Sequence, residues 1–360
     1  MRVLVVAPSL RNTSPGSRFR IEQWMPYLER EGVEFTYASF EDEALHRIVY
    51  QPQHRWEKAT GMLRGFARRF ELLPSLRKKY DVVFLYEEAS RIGPAIVERL
   101  MSLTGTPIVY DFCDPVFLPY KSPTNHYLSY LKFFGKTGTI CKLAKHVLVG
   151  NEELGDYARR FSSQVTTVPI TIDTEVYRAR SWPEKSTSEP LLGWSGSHTT
   201  VAHLDGLREA LSELRKLRTF RMRVIGAPSW KLEGIEVDAR PWRAESETED
   251  LSVIDIGIMP LPDDRWTRLR SHLKIRQYMG LGIPCVAAPV GVNCELIEDG
   301  VNGFLAGTHS EWVEKLSRLI DDASLRMKMG RAGRETIETR YSAAVWAPRV
   351  HAILRRAVAE

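Results

Sequence analysis

Residues 254–289 read IDIGIMPLPDDRWTRLRSHLKIRQYMGLGIPCVAAP. In this stretch two apolar runs, 254–259 and 283–288, stand on either side of a polar loop and a segment with helical spacing. An apolar run without regular polar alternation is typical of a strand buried on both faces. A helix between two such strands is the crossover connection of a parallel sheet. The stretch therefore predicts an α/β fold.

The same alternation of strand and helix continues through the rest of the chain. The other predicted strands cover residues 2–8, 33–39, 81–86, 107–111, 146–150, 164–169, 191–195, 221–225, 234–238 and 303–306. Between residues 168 and 191 the periodicity is lost and the composition is that of a linker. We therefore predict two doubly wound, Rossmann-like domains, 1–185 and 186–341, that face a central cleft. A last helix, 342–360, could return to the first domain.

Composition excludes several classes of protein. The chain has 360 residues, 43% of them hydrophobic and 26% charged, which fits a globular protein of two domains and excludes a disordered chain. A net charge of +5 without a reading motif predicts no nucleic-acid partner. The four cysteines form no CxxC pair, which favours a reducing, cytoplasmic compartment and no metal site. The apolar residues 1–10 are interpreted as a first strand rather than a signal peptide, and no run reaches the roughly 18 residues of a membrane span.

A dense cluster of positive charge follows one predicted strand. Five cations fall within residues 265–276, in the loop and helix start after the buried strand 254–259. Ligands of parallel sheets bind at the carboxyl ends of the strands, so these cations predict an anionic ligand there. Residues 194–200, WSGSHTT, follow another predicted strand and precede a helix. Their small residues are typical of a phosphate cradle, although helix capping explains them equally well.

Two segments of the second half resemble a known family. Residues 274–287, KIRQYMGLGIPCVA, and 289–305, PVGVNCELIEDGVNGFL, are similar to the C-terminal signature of the family-4 retaining glycosyltransferases, which have the GT-B fold. Residues 168–173, VPITID, are similar to the segment that joins the two domains in that family. The resemblance implies a hexosyltransferase of polysaccharide biosynthesis that moves a sugar with retention from a nucleoside diphosphate sugar to a hydroxyl acceptor, which is a glycan, a lipid-linked molecule or a small molecule. It implies no cofactor and no enzyme nucleophile.

The sequence departs from the family at the donor site. The two glutamates that the family usually carries align with Leu269 and Gln277, eight positions apart. With an insertion allowed, Asp264 takes the first place, as a carboxylate near the donor sugar. The family's arginine and lysine after the first strand of this domain are also missing, since Ser197 and residues 200–203 stand there. Arg270 and Lys274 are the nearest cations that could compensate.

The resemblance implies a set of donor-binding residues. Arg270, Lys274 and the backbone amides of residues 197–199 would meet the diphosphate, and Gln277 would meet the ribose. Trp242 could stack on the base, or it is a core tryptophan. Amides near residues 291–293 would approach the sugar or phosphate. The full set is Ser197, His198, Thr199, Trp242, Arg270, Lys274, Gln277, Gly291, Val292 and Asn293.

The first domain carries the candidates for the acceptor. Arg18 and Arg20 follow the first strand, where a helix dipole disfavours cations, so they indicate an anion or are ordinary solvated arginines. Asp111 and Asp114 end another strand and could accept the hydroxyl proton, or they only cap a turn. We therefore predict Gly16, Arg18 and Arg20 as acceptor-binding residues and Asp111, Asp114 and Asp264 as catalytic residues. Glu87 and Glu88 are similar but weaker candidates.

Residues 54–79 concentrate the positive charge of the chain. They hold eight lysines and arginines against two glutamates, with aromatic residues at helical spacing. Such a segment is typical of a helix that contacts the inner face of a membrane, or it is an ordinary helix with a solvated basic face. Two alternative functions also stay open: a sugar-nucleotide epimerase of the same fold, and a catalytically silent, sugar-nucleotide-binding subunit of a glycan-assembly complex.

Overall fold

The computed structural model describes residues 1–119, 131–182, 189–197 and 200–359. The chain divides into two compact units, Met1–Ile170 with Trp346–Glu360, and Thr171–Val345. Residues 171–182, which the sequence places in the first domain, lie in unit 2. The reason is that Arg180 forms an ion pair with Asp255 at 3.0 Å and Arg334 donates to the carbonyl of Thr174 at 3.1 Å.

Unit 1 contains a six-stranded parallel sheet in the order β2-β1-β3-β4-β5-β6. Its strands are β1 Arg2–Ala7, β2 Glu34–Ser39, β3 Val82–Tyr86, β4 Ile108–Phe112, β5 His146–Val149 and β6 Val165–Thr167. The strands β3 and β4 are buried along their whole length, whereas the outer strands β2 and β6 are partly exposed. The central strands are therefore covered on both faces, as their apolar sequences require.

Helices of unit 1 cover this sheet. They are α1 Pro15–Arg18, α2 Ile21–Arg30, α3 Glu43–Ile48, α4 Arg55–Leu72, α5 Leu76–Lys79, α6 Ile96–Leu103, α7 Lys136–Leu143 and α8 Glu152–Arg159. Helix α2 illustrates why they form, because its buried Ile21, Trp24, Met25 and Leu28 follow the spacing of one helical face. The last helix of the chain, α17 Ala343–Ala359, contributes its residues from Trp346 onward to unit 1.

Unit 2 repeats the design with the order β12-β11-β10-β7-β8-β9, all parallel. Its strands are β7 Leu191–Ser195, β8 Arg221–Ile225, β9 Val237–Arg240, β10 Ile256–Met259, β11 Cys285–Ala287 and β12 Phe304–Leu305. Its helices are α9 Val201–Asp205, α10 Arg208–Leu217, α11 Glu247–Ser252, α12 Arg265–Arg268, α13 Leu273–Gly280, α14 Asn293–Leu296, α15 His309–Asp321 and α16 Ala323–Thr336. Side chains of β7, β8 and β10 form the centre of its core.

Each sheet has one place where successive connections lead away in opposite directions. In unit 1 it lies between β1 and β3, and in unit 2 between β7 and β10. Ligands of doubly wound sheets bind at the carboxyl ends of the strands beside such a switch point. The loops that follow these four strands are therefore where a site is expected.

The predicted α/β class with two doubly wound sheets is confirmed. All twelve predicted strands overlap an observed strand, and the largest shift is at β9, which begins at Val237 rather than at residue 234. Within the described ranges, no helix is both long enough and apolar enough to span a membrane.

Candidate functional site

The loop after β7 begins the candidate site of unit 2. Ser197 is exposed, its amide donates to the Thr200 hydroxyl at 2.9 Å, and its carbonyl accepts from the Thr200 amide at 2.9 Å. These bonds form the first turn that leads into α9, so the Ser197 amide already has an acceptor within the protein. His198 and Thr199, which the sequence predicts as donor-binding, lie outside the described residues.

Two cations from the loop after β10 stand at the same switch point. Lys274 is in the first turn of α13, with its Nζ atom 5.1 Å from the centre of the Trp194 ring of β7. Burial and the nearby Arg270 lower the pKa of Lys274 from 10.5 to about 7. In the part of the chain that the structure describes, no carboxylate lies within ion-pair distance of its ammonium group. A partly buried cation without a counter-ion favours an anionic ligand at this position.

His203 and Asp264 complete the charged surroundings. Burial, Lys274 and Arg270 lower the pKa of His203, while Asp264 acts in the opposite direction, so these three charged side chains lie close enough to His203 to act on it. The sequence prediction missed His203, although it stands in the segment where the similar family carries basic residues. Asp264 is exposed and caps α12, because its Oδ1 atom accepts from the Thr267 amide at 2.8 Å. Capping alone accounts for an aspartate at this position.

The loop after β11 presents two open backbone amides. Gly291 has a φ of +50° and Val292 follows with φ −61° and ψ −11°. Successive residues of opposite helical hand turn their amides toward one side and form an anion-binding nest. Among the described residues, neither amide has an acceptor. A side chain at Gly291 would place its Cβ atom 2.7 Å from the Arg268 carbonyl, which fixes glycine at this turn.

His272 and Asn293 hold the two loops together. The His272 ring lies 2.9 Å from Asn293 Oδ1 through Nδ1 and 2.7 Å from the Thr267 carbonyl through Nε2. Asn293 is fully buried and also donates to the Ala288 carbonyl at 2.9 Å. Burial lowers the pKa of His272 to about 4, so the ring is neutral at pH 7. The side chain of Asn293 is therefore engaged within the protein, and the nest amides are its neighbours in the loop.

Gln277 and Trp242 belong to one hydrogen-bonded chain inside unit 2. Gln277 is 3% exposed and its amide donates to the Tyr177 hydroxyl at 2.9 Å. Tyr177 donates to one oxygen of Glu247 at 2.9 Å, and the Trp242 indole donates to the other at 2.8 Å. The structure thus turns Gln277 inward, toward the segment after residue 170, rather than toward a ribose. Trp242 keeps a partly exposed ring.

In unit 1, Arg20 and Asp111 bind each other in the interior. Both side chains are 0% exposed. Arg20 Nε donates to one carboxylate oxygen at 3.0 Å, a second guanidinium nitrogen donates to the other, and the third donates to the Val168 carbonyl. Burial raises the pKa of Asp111, and the charge of Arg20 opposes that effect. Both side chains are therefore enclosed and cannot contact an acceptor, contrary to the sequence-based assignment. The sequence did not indicate this pair, because its two residues are distant in the chain.

The remaining candidates of unit 1 gather around the end of β3. Gly16 packs against the Tyr86 hydroxyl so closely that a Cβ atom would clash with it. The next residue, Glu87, has a φ of +54°, held by its amide donating to the Asp111 carbonyl and its carbonyl accepting from the Tyr110 hydroxyl, each at 2.8 Å. Burial, Asp114 and Glu88 raise the pKa of Glu87 to about 7.

Glu87 differs from its neighbour Glu88 in its partners. Glu88 is buried and its carboxylate lies 2.8 Å from Lys136 and 3.6 Å from Lys132. Glu87 and the partly exposed Asp114 instead stand at the carboxyl ends of β3 and β4. Arg18 is the partly exposed last residue of α1, with its guanidinium 5.4 Å from the Phe19 ring. The structure therefore brings Gly16, Arg18, Glu87 and Asp114 to the switch point.

The described ranges contain no candidate metal site. They hold no group of three or more histidine, cysteine, aspartate or glutamate side chains placed to bind a metal ion. The cysteines are free thiols, buried at Cys113, Cys141 and Cys285 and exposed at Cys294.

Removing one partner of the buried ion pair is expected to destabilise unit 1. Asp111→Ala leaves a guanidinium without its carboxylate, so the free energy of unfolding should fall by about 3–5 kcal/mol, whereas Arg20→Met with Asp111→Leu should recover much of it. Urea unfolding of each variant measures this. Asp156→Ala, which breaks an exposed pair with Arg159, is the control and should change stability little. Wild-type stability of Asp111→Ala would show that the pair is not structural.

Most of unit 2 is similar to a known protein family. Residues 189–322 match the family model described as Glycosyl transferases group 1. The match begins just before β7 and extends past β12, so it includes both loops of the unit 2 switch point. Among curated proteins, no significant match was found.

Solved structures match over the whole chain. Sucrose-phosphate synthase from Thermosynechococcus elongatus has a TM-score of 0.69 at 12% identity, with 100% of both chains covered. A glycosyltransferase from Rickettsia africae has a TM-score of 0.68 at 16% identity, covering 99% of this chain and 98% of that one. HepE of Anabaena, solved with UDP-glucose, has a TM-score of 0.67 at 15% identity, covering 99% and 100%. The predicted GT-B fold is confirmed.

Proposed function

We propose that the chain is a retaining glycosyltransferase that moves a sugar from a nucleoside diphosphate sugar to a hydroxyl acceptor. The observation that carries this proposal is Lys274 at the switch point of unit 2, whose Nζ atom lies 5.1 Å from the centre of the Trp194 ring and has no carboxylate within ion-pair distance in the described ranges. The diphosphate of such a donor would supply a counter-charge for Lys274. The similarity in fold to HepE, which was solved with UDP-glucose, supports the same class of ligand.

The donor would bind unit 2 through fixed positive charge and open amides. Arg270 and Lys274 would meet the diphosphate, and the amides of Gly291 and Val292 would donate hydrogen bonds to a further oxygen. When the bond to the sugar breaks, negative charge builds on the leaving diphosphate, and fixed cations stabilise it without reorganisation. Asp264, a neighbour of His203, stays our candidate for the carboxylate near the donor sugar. No cofactor is needed for these steps.

The acceptor would bind unit 1 beside Gly16 and Arg18. Glu87 is our candidate for the group that takes the proton of the acceptor hydroxyl, since a carboxylate with a pKa of about 7 exchanges protons readily at neutral pH. Asp114 contributes by raising that pKa. We assign Asp111 a supporting part, because its carbonyl accepts the amide of Glu87 while Arg20 holds its side chain.

A silent, donor-binding subunit is the second candidate. The two positions aligned with the usual donor-site glutamates are Leu269, which is buried, and Gln277, which is bonded to Tyr177. Such a chain would bind nucleotide sugars without hydrolysing or transferring them. An epimerase would convert the donor with no acceptor present. Assays with and without acceptor alcohols, after a thermal-shift screen of nucleotide sugars, separate these activities.

We also propose a cytoplasmic location at the inner face of a membrane, where a lipid-linked acceptor would be within reach. Residues 54–79 would provide the contact, through α4 and α5.

Loss of the Lys274 charge is expected to weaken donor binding. Lys274→Met removes a charged hydrogen bond to the diphosphate, so the Kd for UDP-glucose should rise by about tenfold or more, while Lys274→Arg should retain most of the affinity. Isothermal titration calorimetry measures both. Lys216→Met, at an exposed lysine of α10, is the matched control. Unchanged affinity of Lys274→Met would reject the proposed diphosphate site.

Donor affinity is expected to fall as the pH rises above about 7. Below that pH, Lys274 is already charged in the free protein, so donor binding takes up no proton. Above that pH, Lys274 is neutral in the free protein and must take up a proton when the donor binds. The Kd for UDP-glucose, whose diphosphate does not titrate near neutrality, should then increase by up to about tenfold per pH unit. Lys274→Arg stays charged and should show a flat profile. Equal slopes in both proteins would assign the effect to another group.

Neutralising Glu87 is expected to slow transfer without weakening donor binding. Glu87→Gln keeps the shape of the side chain but cannot accept the proton, so kcat should fall by about 10²–10⁴-fold. The measurement is transfer to an acceptor alcohol, with the Kd for UDP-glucose determined in parallel. Glu29→Gln, at an exposed glutamate of α2, is the control. If the variant transfers at the wild-type rate, another group takes the proton.

A further inference from the structure

Three apolar side chains of α4 point away from the body of unit 1. Trp56 is 84% exposed, Leu63 69% and Phe70 44%. Residues seven apart fall on nearly the same side of a helix, so these three form one outward stripe about 21 Å long. We call it the α4 stripe.

The inner face of α4 combines apolar, small and charged residues. Gly61 and Gly65 lie so close to Leu45 and Phe40 that an added Cβ atom would be 3.0 Å and 2.7 Å from those side chains. Arg69 is fully buried and donates to the carbonyls of Ala89 at 2.7 Å, Ala7 at 2.8 Å and Ala38 at 3.1 Å. Met62 and the partly buried Phe66 also face the core, while Trp56, Leu63 and Phe70 lie outside it, so α4 carries large apolar side chains on two sides.

The positive charges of residues 54–79 fall into two groups, those that support the fold and those that are exposed. Lys58 and Arg69 are buried, and Arg68 bonds to Asp42 at 3.1 Å, so these three support the fold. The exposed cations are Arg55, Arg64, Arg77, Lys78 and Lys79, and the exposed anions are Glu57 and Glu71. On α4 itself the exposed cations and anions balance, and Arg64 also lies 3.7 Å from Asp42, so the net positive charge of the segment comes from the three exposed cations of α5.

We infer that α4 and α5 dock on an anionic lipid bilayer. The α4 stripe would enter the boundary between headgroups and acyl chains, where tryptophan is favoured, and the exposed cations would meet the lipid phosphates. The stripe lies along a single helix, which is the geometry of a helix in the plane of a membrane. A second copy of the chain fits less well, because it would bring the same cations against each other.

Vesicle binding by the full chain tests this inference. The protein should sediment with vesicles of phosphatidylcholine and phosphatidylglycerol, less with phosphatidylcholine alone, and less at high salt. Trp56→Ser with Leu63→Ser and Phe70→Ser should reduce binding by about tenfold or more. The matched control is Leu103→Ser with Val176→Ser and Leu217→Ser, at equally exposed apolar positions elsewhere, and it should bind like the wild type.

A charge-reversal series tests the second half of the inference. Arg77→Glu with Lys78→Glu and Lys79→Glu should abolish the preference for anionic vesicles, whereas Lys216→Glu with Lys328→Glu and Arg331→Glu, at exposed cations of unit 2, should not.

Three results would overturn the inference. The first is that the protein does not sediment with anionic vesicles. The second is that the stripe variant binds vesicles like the wild type. The third is that the protein forms a dimer without lipid and the stripe variant is monomeric. Vesicle binding requires neither donor nor acceptor, so this inference can fail while the proposed transferase activity stands, and the reverse.

Discussion

Parallel pairing of the strands is the constraint from which both candidate sites follow. Because neighbouring strands run in the same direction, the carboxyl ends of all six strands of a sheet meet at one edge. The central strands are buried on both faces and carry mainly apolar side chains, so most charged groups are confined to the loops. At each switch point the two connections lead away from each other, and the loops of β1 and β3, or of β7 and β10, are free to contact a ligand.

Buried charge is then distributed in two ways. Arg20 and Arg69 are fully buried, and carboxylate or carbonyl oxygens of the protein accept their hydrogen bonds. These cations hold loops and helices to the sheet. Lys274 lies beside a second cation and has no carboxylate partner in the described ranges, so its ammonium group is the one that a ligand would complete. The structural cations and the proposed ligand-binding cation therefore differ in their partners.

Sequence patterns predicted the strands, the loops and the cation cluster, because each depends on residues close together in the chain. The site residues were predicted less well. Arg270 and Lys274 lie in the connection after the buried strand β10, and the structure places Lys274 beside Trp194 of β7. Arg20 and Asp111 are also polar residues near strand ends, but they are 91 positions apart and pair in the interior. Gln277 likewise bonds to Tyr177, 100 positions away. The sequence did not indicate His272, because it joins two loops through contacts with Thr267 and Asn293 that only the folded chain forms.

The sequence by itself determined that the chain is α/β with two doubly wound sheets, since local hydrophobic patterning decides which segments become strands and helices. It also determined which loops concentrate charge. Only the tertiary structure decided which of those charges are neutralised by one another and which face of α4 is exposed. The physical reason for the charges is that their hydrogen-bond partners are residues distant in sequence. The physical reason for the exposed face is that Gly61 and Gly65 permit a close approach to Leu45 and Phe40. Trp56, Leu63 and Phe70 are then left outside.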